Sequence, residues 1–153
     1  MVFNDELQNT RMFEQAMAHS LASRTMSSFY QAALKNHNLT LIEWYVLSIA
    51  ADATPQGGIR VTDLASIFDV KTTYITAVLN GLRSKDYINT QLDTRDARVR
   101  RAIITKKAAA ELDSIDVYVR QELDELLAGK VNPKEYKTFS RVLQKLADLS
   151  SQS

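Results

Sequence analysis

At 153 residues, with 45% hydrophobic and 24% charged side chains, the chain suits one compact domain, or a small binding module with appended helices. It has no cysteine, which excludes disulfides, cysteine-ligated zinc, thiol redox sensing and cysteine nucleophiles. The net charge of +1 hides an uneven spread: residues 60–107 carry ten Lys/Arg against five Asp/Glu, residues 1–59 three against five, and residues 108–153 six against eight.

A helix is expected from about Asn9 to Leu34, with Met12, Ala16, Leu21, Met26, Phe29, Tyr30 and Ala33 as its apolar positions. Asn36, His37 and Asn38 break it. Thr40-Leu-Ile-Glu43 reads as a capping box, the threonine oxygen accepting from the amide three residues on while Glu43 reaches back. The helix it opens runs to about Ala53, with Leu41, Trp44, Leu47, Ile49 and Ala50 available for burial, and Thr54-Pro-Gln-Gly-Gly58 ends it in a loop. Asp63 to Phe68 is a short helix, with Leu64, Ala65 and Phe68 inward and Thr62 as its cap. After a brief turn at Asp69-Val70, Lys71 to Lys85 form a second helix whose Ile75, Val78, Leu79 and Leu82 recur at steps of three and four. Its opposite face shows Thr72, Thr73, Thr76, Asn80 and Arg83. Two helices joined by a tight turn, the second with a polar face, make a helix-turn-helix candidate, although plain helical bundles share the pattern.

Tyr87 to Leu92 alternates as a strand, Asp93-Thr-Arg-Asp-Ala-Arg98 is a charged turn, and Val99 to Thr105 returns. A hairpin directly after the second helix, with Arg95, Arg98, Arg100 and Arg101 at and beyond its tip, reads as a wing. Lys106 to Leu127 is helical again, with Leu112, Ile115, Val119, Leu123 and Leu126 on its apolar side, and Gly129 ends it. Asn132-Pro-Lys-Glu135 opens a last helix, Asn132 as N-cap, Pro133 at N1 and Glu135 at N3, with a stripe of Phe139, Val142, Leu143, Leu146 and Leu149. The expected fold is mainly α with a small β-hairpin wing.

The order helix, helix, helix-turn-helix, wing, long helix, final helix resembles the multiple-antibiotic-resistance-regulator (MarR) family over nearly the whole chain. The most specific piece is Asp96-Ala-Arg98 followed by Ile103-Ile-Thr105, which is similar to the family's wing signature. Leu39 to Leu47 resembles its second-helix opening, and Val61 to Ala65 with Thr73 to Leu82 fits its helix-turn-helix; no gap is needed between Val61 and Thr105. Lys71 and Ala77 depart from the pattern, which often has a small hydroxyl residue at the first and a basic residue near the second.

The resemblance implies an N-terminal dimerisation helix in 1–38, a winged helix-turn-helix DNA-binding lobe in 39–106 and C-terminal dimerisation helices in 107–153. It implies a homodimer that binds a pseudo-palindromic operator on double-stranded DNA, in most such cases as a repressor. A recognition helix inserts its first turns into the major groove, so Lys71, Thr72, Thr73, Tyr74 and Thr76 are the candidates there. Threonine specifies weakly, a merely solvated face is the plain alternative, and Tyr74 is open to packing against the wing. On the wing, the resemblance implies that Arg98 enters the minor groove while Asp96 orients it through a charge-assisted hydrogen bond; Arg95, Arg100 and Arg101 would serve phosphates or the groove edge. Phe3, Leu7, Met12 and Phe13, with Phe139, Leu143, Leu146 and Leu149, exceed the needs of one module and suit a dimer interface, a simple intramolecular bundle being the alternative. Relatives bind small aromatic or acidic effectors, for which His19, Met26, Tyr30, Trp44 and Tyr45 are the candidate lining.

Other classes find little support. There is no Gly-rich phosphate loop and no His-x-x-x-His spacing, the carboxylates are scattered over helix faces, and no residue pattern asks for a metal or cofactor, so the chain does not read as an enzyme. No apolar run approaches the roughly 18 residues of a membrane span, and the acidic first residues do not read as a secretory signal, so the expected location is cytoplasmic with no membrane partner. The competing reading is a winged-helix protein-interaction module with incidental DNA affinity.

Overall fold

The computed structural model describes residues 11–150; Phe3, Leu7 and the helix start expected at Asn9 lie outside the described residues. By its contacts the chain falls into two units, residues 1–41 and 42–153.

In the first unit, helix α1 spans Met12–Lys35, a run with neither glycine nor proline to interrupt it. It stops where Asn38 takes a left-handed backbone, φ 54°, and the amides of His37 and Leu39 turn back onto the Leu34 carbonyl at 2.9 and 3.2 Å. Ala33, Leu34 and Leu39 are buried, whereas Met12, Phe13, Met17 and Leu21 are exposed.

The second unit begins with most of α2 (Leu41–Ala53), which buries Glu43, Val46, Leu47 and Ala50. That stripe has ideal helical spacing but differs from the one read in the sequence, because it includes a carboxylate. Glu43 is tolerated inside because its Oε1 accepts from Lys85 Nζ at 2.7 Å, neutralising the charge. Gly81 leaves the room: a Cβ there would come within 3.1 Å of the same oxygen. After a 3₁₀ turn at Thr54–Gln56, Gly57 and Gly58 adopt φ 90° and 85°, and a two-residue strand β1 (Ile59–Arg60) follows.

Helix α3 is Val61–Ile67 and α4 is Thr72–Ser84. Thr62 is not the cap of α3. Pairing of β1 with the sheet holds Arg60 extended, so the helix starts at Val61 with no side-chain cap, and Thr62 lies inside it, its carbonyl accepting from Ser66 Oγ at 3.1 Å. Between the helices Asp69 is left-handed, φ 50°, and the Val70 amide returns to Ala65 O at 3.0 Å. On α4 the four expected residues, Ile75, Val78, Leu79 and Leu82, are the buried ones.

Strands β2 (Ile88–Leu92) and β3 (Arg100–Ile104) form the hairpin. The sheet has three strands in the order β1-β3-β2, all antiparallel, with Ile59 and Thr90 both facing Ala102. Strand β1 was not legible in the sequence: two residues give no period to read.

Helix α5 spans the expected residues, Lys106–Leu127, and Thr105 is its N-cap. Thr105 Oγ1 accepts from the Ala108 amide at 3.1 Å and donates to Asp86 O at 2.8 Å, while its own amide donates to Tyr87 O at 3.0 Å. Tyr87 Oη donates to Glu111 Oε2, and Lys107 Nζ sits 4.9 Å from the Tyr87 ring centroid. The long helix is thereby fastened to the corner between α4 and the wing. Burial, and then the hydrogen bond to Glu111 and its charge, push the Tyr87 phenol up to about 12. The folded state therefore favours the neutral phenol. Its contribution is complete below the roughly 10 of a free phenol and is lost as pH rises from there through about 12. In an ultraviolet titration Tyr87→Phe is expected to lose a tyrosine step near pH 12; a variant curve that matches wild type in that range would contradict it.

Helix α6 is Pro133–Ser150. Asn132 caps it as expected, its Oδ1 accepting from the Glu135 amide at 2.9 Å, and the Asn132 amide donates in return to Glu135 Oε2 at 2.8 Å. The apolar stripe beyond it stays exposed, Leu146 at 52% and Leu149 at 61%. Core burial in this unit concentrates elsewhere, on Leu47, Leu64, Ile75, Leu79, Leu82, Ile88 and Ile115.

Candidate nucleic-acid interface

Burying Ile75, Val78, Leu79 and Leu82 turns the other side of α4 outward, and Lys71, Thr72, Thr73, Tyr74 and Thr76 are all exposed. Tyr74 is 48% exposed. Thr76 Oγ1 donates to Thr72 O one turn back at 2.9 Å, so what it offers outward is its lone pairs and its methyl. Lys71 is the N-cap residue of α4: its carbonyl accepts from the Tyr74 and Ile75 amides at 2.9 and 3.4 Å, and its side chain makes no cap hydrogen bond.

The wing faces this surface. A cleft of about 460 Å³ opens between them, with Thr72, Thr76, Asn80 and Arg83 on the helix side and Thr90, Arg98 and Arg100 on the wing side. Arg83 spans it: Nη1 donates to Asn80 Oδ1 at 3.1 Å and Nη2 to Thr90 Oγ1 at 2.9 Å. In the sequence Asn80 and Arg83 show only as part of a polar face. Their spacing of three along a helix was a usable sign of pairing; the Thr90 partner was not, because it depends on where the hairpin register falls.

Within the hairpin tip, the Asp93 amide donates to Val99 O at 2.8 Å and the Val99 amide to Asp96 O at 2.9 Å. Arg95, Asp96 and Arg98 are exposed on this turn and Arg100 at its return. Asp96 does not orient the Arg98 guanidinium: its Oδ1 accepts from the Arg98 backbone amide at 2.9 Å. Two residues apart in a tight turn, the short carboxylate reaches the main chain before it can reach the far end of the arginine. The ion pair of the wing lies between Asp93 and Arg101 instead. Asp93 Oδ1 also accepts from the Arg95 and Asp96 amides, at 2.8 and 3.3 Å. The hydrogen bond from Arg101, with those from the backbone, holds the Asp93 carboxyl down at about 2. In the sequence Asp93 is one more acid in a charged turn, although an Asp followed two residues later by a turn amide is a readable local signal.

The candidate effector residues divide between the units. His19, Met26 and Tyr30 lie on α1, His19 exposed and the other two half-buried; Trp44 and Tyr45 lie on α2. The Phe29 and Tyr30 rings meet edge-on with centroids 5.2 Å apart. Tyr45 stacks between Trp44 and Phe68, at 5.9 and 6.3 Å. Among the described residues no helix is long and apolar enough to cross a membrane.

No protein-family model matches the sequence. An uncharacterised HTH-type transcriptional regulator of Bacillus subtilis, YwaE, is 25% identical over 127 residues, covering 83% of this chain and 72% of that protein. Solved structures of MarR-family regulators superpose on it. A MarR-family transcriptional regulator from a Rhodococcus species gives a TM-score of 0.77 at 15% identity, covering 91% of this chain and 96% of its own. A cysteine-to-serine variant of Escherichia coli MarR, solved in complex with operator DNA, gives 0.71 at 18% identity, covering 95% and 98%. The chain has the MarR winged-helix fold.

Proposed function

We propose that this chain is a MarR-type transcriptional regulator that binds double-stranded DNA sequence-specifically as a homodimer, acting in the cytoplasm as a repressor at a pseudo-palindromic operator. The observation that carries the reading is the pairing of two exposed surfaces across one cleft: the first turns of α4, bearing Lys71, Thr72, Thr73, Tyr74 and Thr76, and the wing, bearing Arg95, Arg98 and Arg100. A helix enters the major groove end-on and a neighbouring hairpin reaches the minor groove beside it. Threonines that offer lone pairs and methyls read bases loosely, with thymine methyls as natural contacts. Arg98 at the tip suits a narrow minor groove, where negative potential is concentrated, and Arg95 and Arg100 suit phosphates. A small aromatic or acidic effector that releases the DNA completes the proposal.

The test is equilibrium binding to a random-sequence duplex and to the gene's own upstream region, across a salt series. The wild type is expected to prefer the upstream duplex, and Arg98→Ala to lose roughly ten- to hundredfold in affinity for it. Absence of binding to either duplex at low salt sinks the DNA reading, and leaves a winged fold turned to protein partners.

A further inference from the structure

Arg101 is the second residue of the central strand β3, opposite Arg60 of β1 on one side and Gln91 of β2 on the other. Strand alternation places it on the sheet face away from Ala102 and Thr90, whereas Arg100 shares theirs. Its side chain is only 25% exposed and that of its partner Asp93 only 8%. Arg101 Nε donates to Asp93 Oδ2, and Nη1 donates to Gly58 O at 2.8 Å. Through its other oxygen the same carboxylate gathers the Arg95 and Asp96 amides. One guanidinium and one carboxylate thus tie together the Gly57-Gly58 corner, the central strand and the first residues of the tip. Arg98 is the opposite case, exposed, with its guanidinium in no ion pair among the described residues.

We propose that Arg101, with Asp93, is a positioning pair that holds the wing tip in the shape presenting Arg95 and Arg98, and that Arg101 itself meets no phosphate. The proposal rests on the DNA-binding reading above. An arginine that supplies salt-sensitive affinity brings uncompensated charge and free donors to the duplex. Here the charge is cancelled inside the pair, and two of the donor positions are occupied. Removing either partner leaves the other covered and uncompensated, so both changes loosen the tip.

The test compares wild type, Arg98→Ala, Arg101→Ala and Asp93→Asn on the upstream duplex across a salt series, with circular dichroism to confirm folding. Each cation withdrawn from the duplex flattens the plot of log affinity against log salt by about 0.9. Arg98→Ala is expected to flatten it. Arg101→Ala is expected to weaken binding roughly tenfold or more, the worth of hydrogen bonds to a charged group, at the wild-type slope. Asp93→Asn keeps an oxygen for the Arg95 and Asp96 amides, removes the charge, and separates the readings whether or not Arg101→Ala folds. A positioning pair predicts weaker binding at unchanged slope; an Arg101 that touches phosphate is freed by the change and binds tighter with a steeper slope. Tighter binding by Asp93→Asn, or a flattened slope for Arg101→Ala, overturns the proposal while the DNA reading stands. No binding by the wild type overturns both.

Discussion

Gly58→Ala is expected to destabilise the protein by about 2–5 kcal/mol, while Gly57→Ala next door costs about 1 kcal/mol. Both glycines have left-handed backbones, φ 85° and 90°, and each would give an alanine the strain that L residues meet there. They differ in what surrounds them. A Cβ on Gly57 meets nothing within 4 Å, whereas one on Gly58 falls on the Ala102 carbonyl and on Ile103 Cγ2. The obstacle is the main chain of the central strand, which cannot swing aside as a surface side chain would. Gly58 also receives Arg101 through its carbonyl and donates through its amide to Ala53 O at 2.9 Å, so moving it disturbs both the wing and the end of α2. Against a typical total of roughly 5–15 kcal/mol such a loss is large. Denaturant unfolding of the two variants at matched protein concentration checks it, and equal losses would show that close packing at Gly58 is not what demands glycine.

That pair of glycines also marks how far the sequence could be read. Gly57-Gly58 announced a loop, but nothing local told the two apart, because the obstacle at Gly58 comes from residues more than forty positions away. Local features of the helices were legible: the stripe of α4, the Asn132 cap of α6, the start of α5 at Lys106. Features set by pairing across the chain were not. Strand β1 exists because Ile59 and Arg60 align with Ala102 and Arg101, and Glu43 is buried because Lys85 reaches it. The candidate interface divides in the same way. Its chemistry, hydroxyls on a helix and arginines on a hairpin, was visible from residue types. Its internal wiring was not, since Asp93 and Arg101 are neighbours only once the hairpin register is fixed, and Arg83 finds Thr90 only once α4 lies beside β2.

The double variant Leu143→Asp/Leu146→Asp is expected to be monomeric and to lose on the order of a hundredfold or more in operator affinity, the advantage of binding two half-sites through one assembly. Phe139, Val142, Leu143, Leu146 and Leu149 recur at helical steps along α6 and all remain exposed in the single chain. Fully burying one such side chain is worth about 1.5–3 kcal/mol, and a contiguous apolar stripe on a soluble surface marks an interface. The first unit carries a second such stripe in Met12, Phe13, Met17 and Leu21. A second copy of the chain presents the same α6 face, so a two-fold arrangement would pair that stripe with itself. It also brings a second recognition helix, which a pseudo-palindromic site requires. Sedimentation of wild type and double variant gives the oligomeric state, and binding to full and half operators at one salt concentration gives the affinity. Because both substituted positions are solvent-facing on α6, circular dichroism is expected to show the helices retained. A double variant that still sediments as a dimer would move the interface away from α6; a monomer that binds the full site as tightly as wild type would remove the need for dimerisation in DNA recognition.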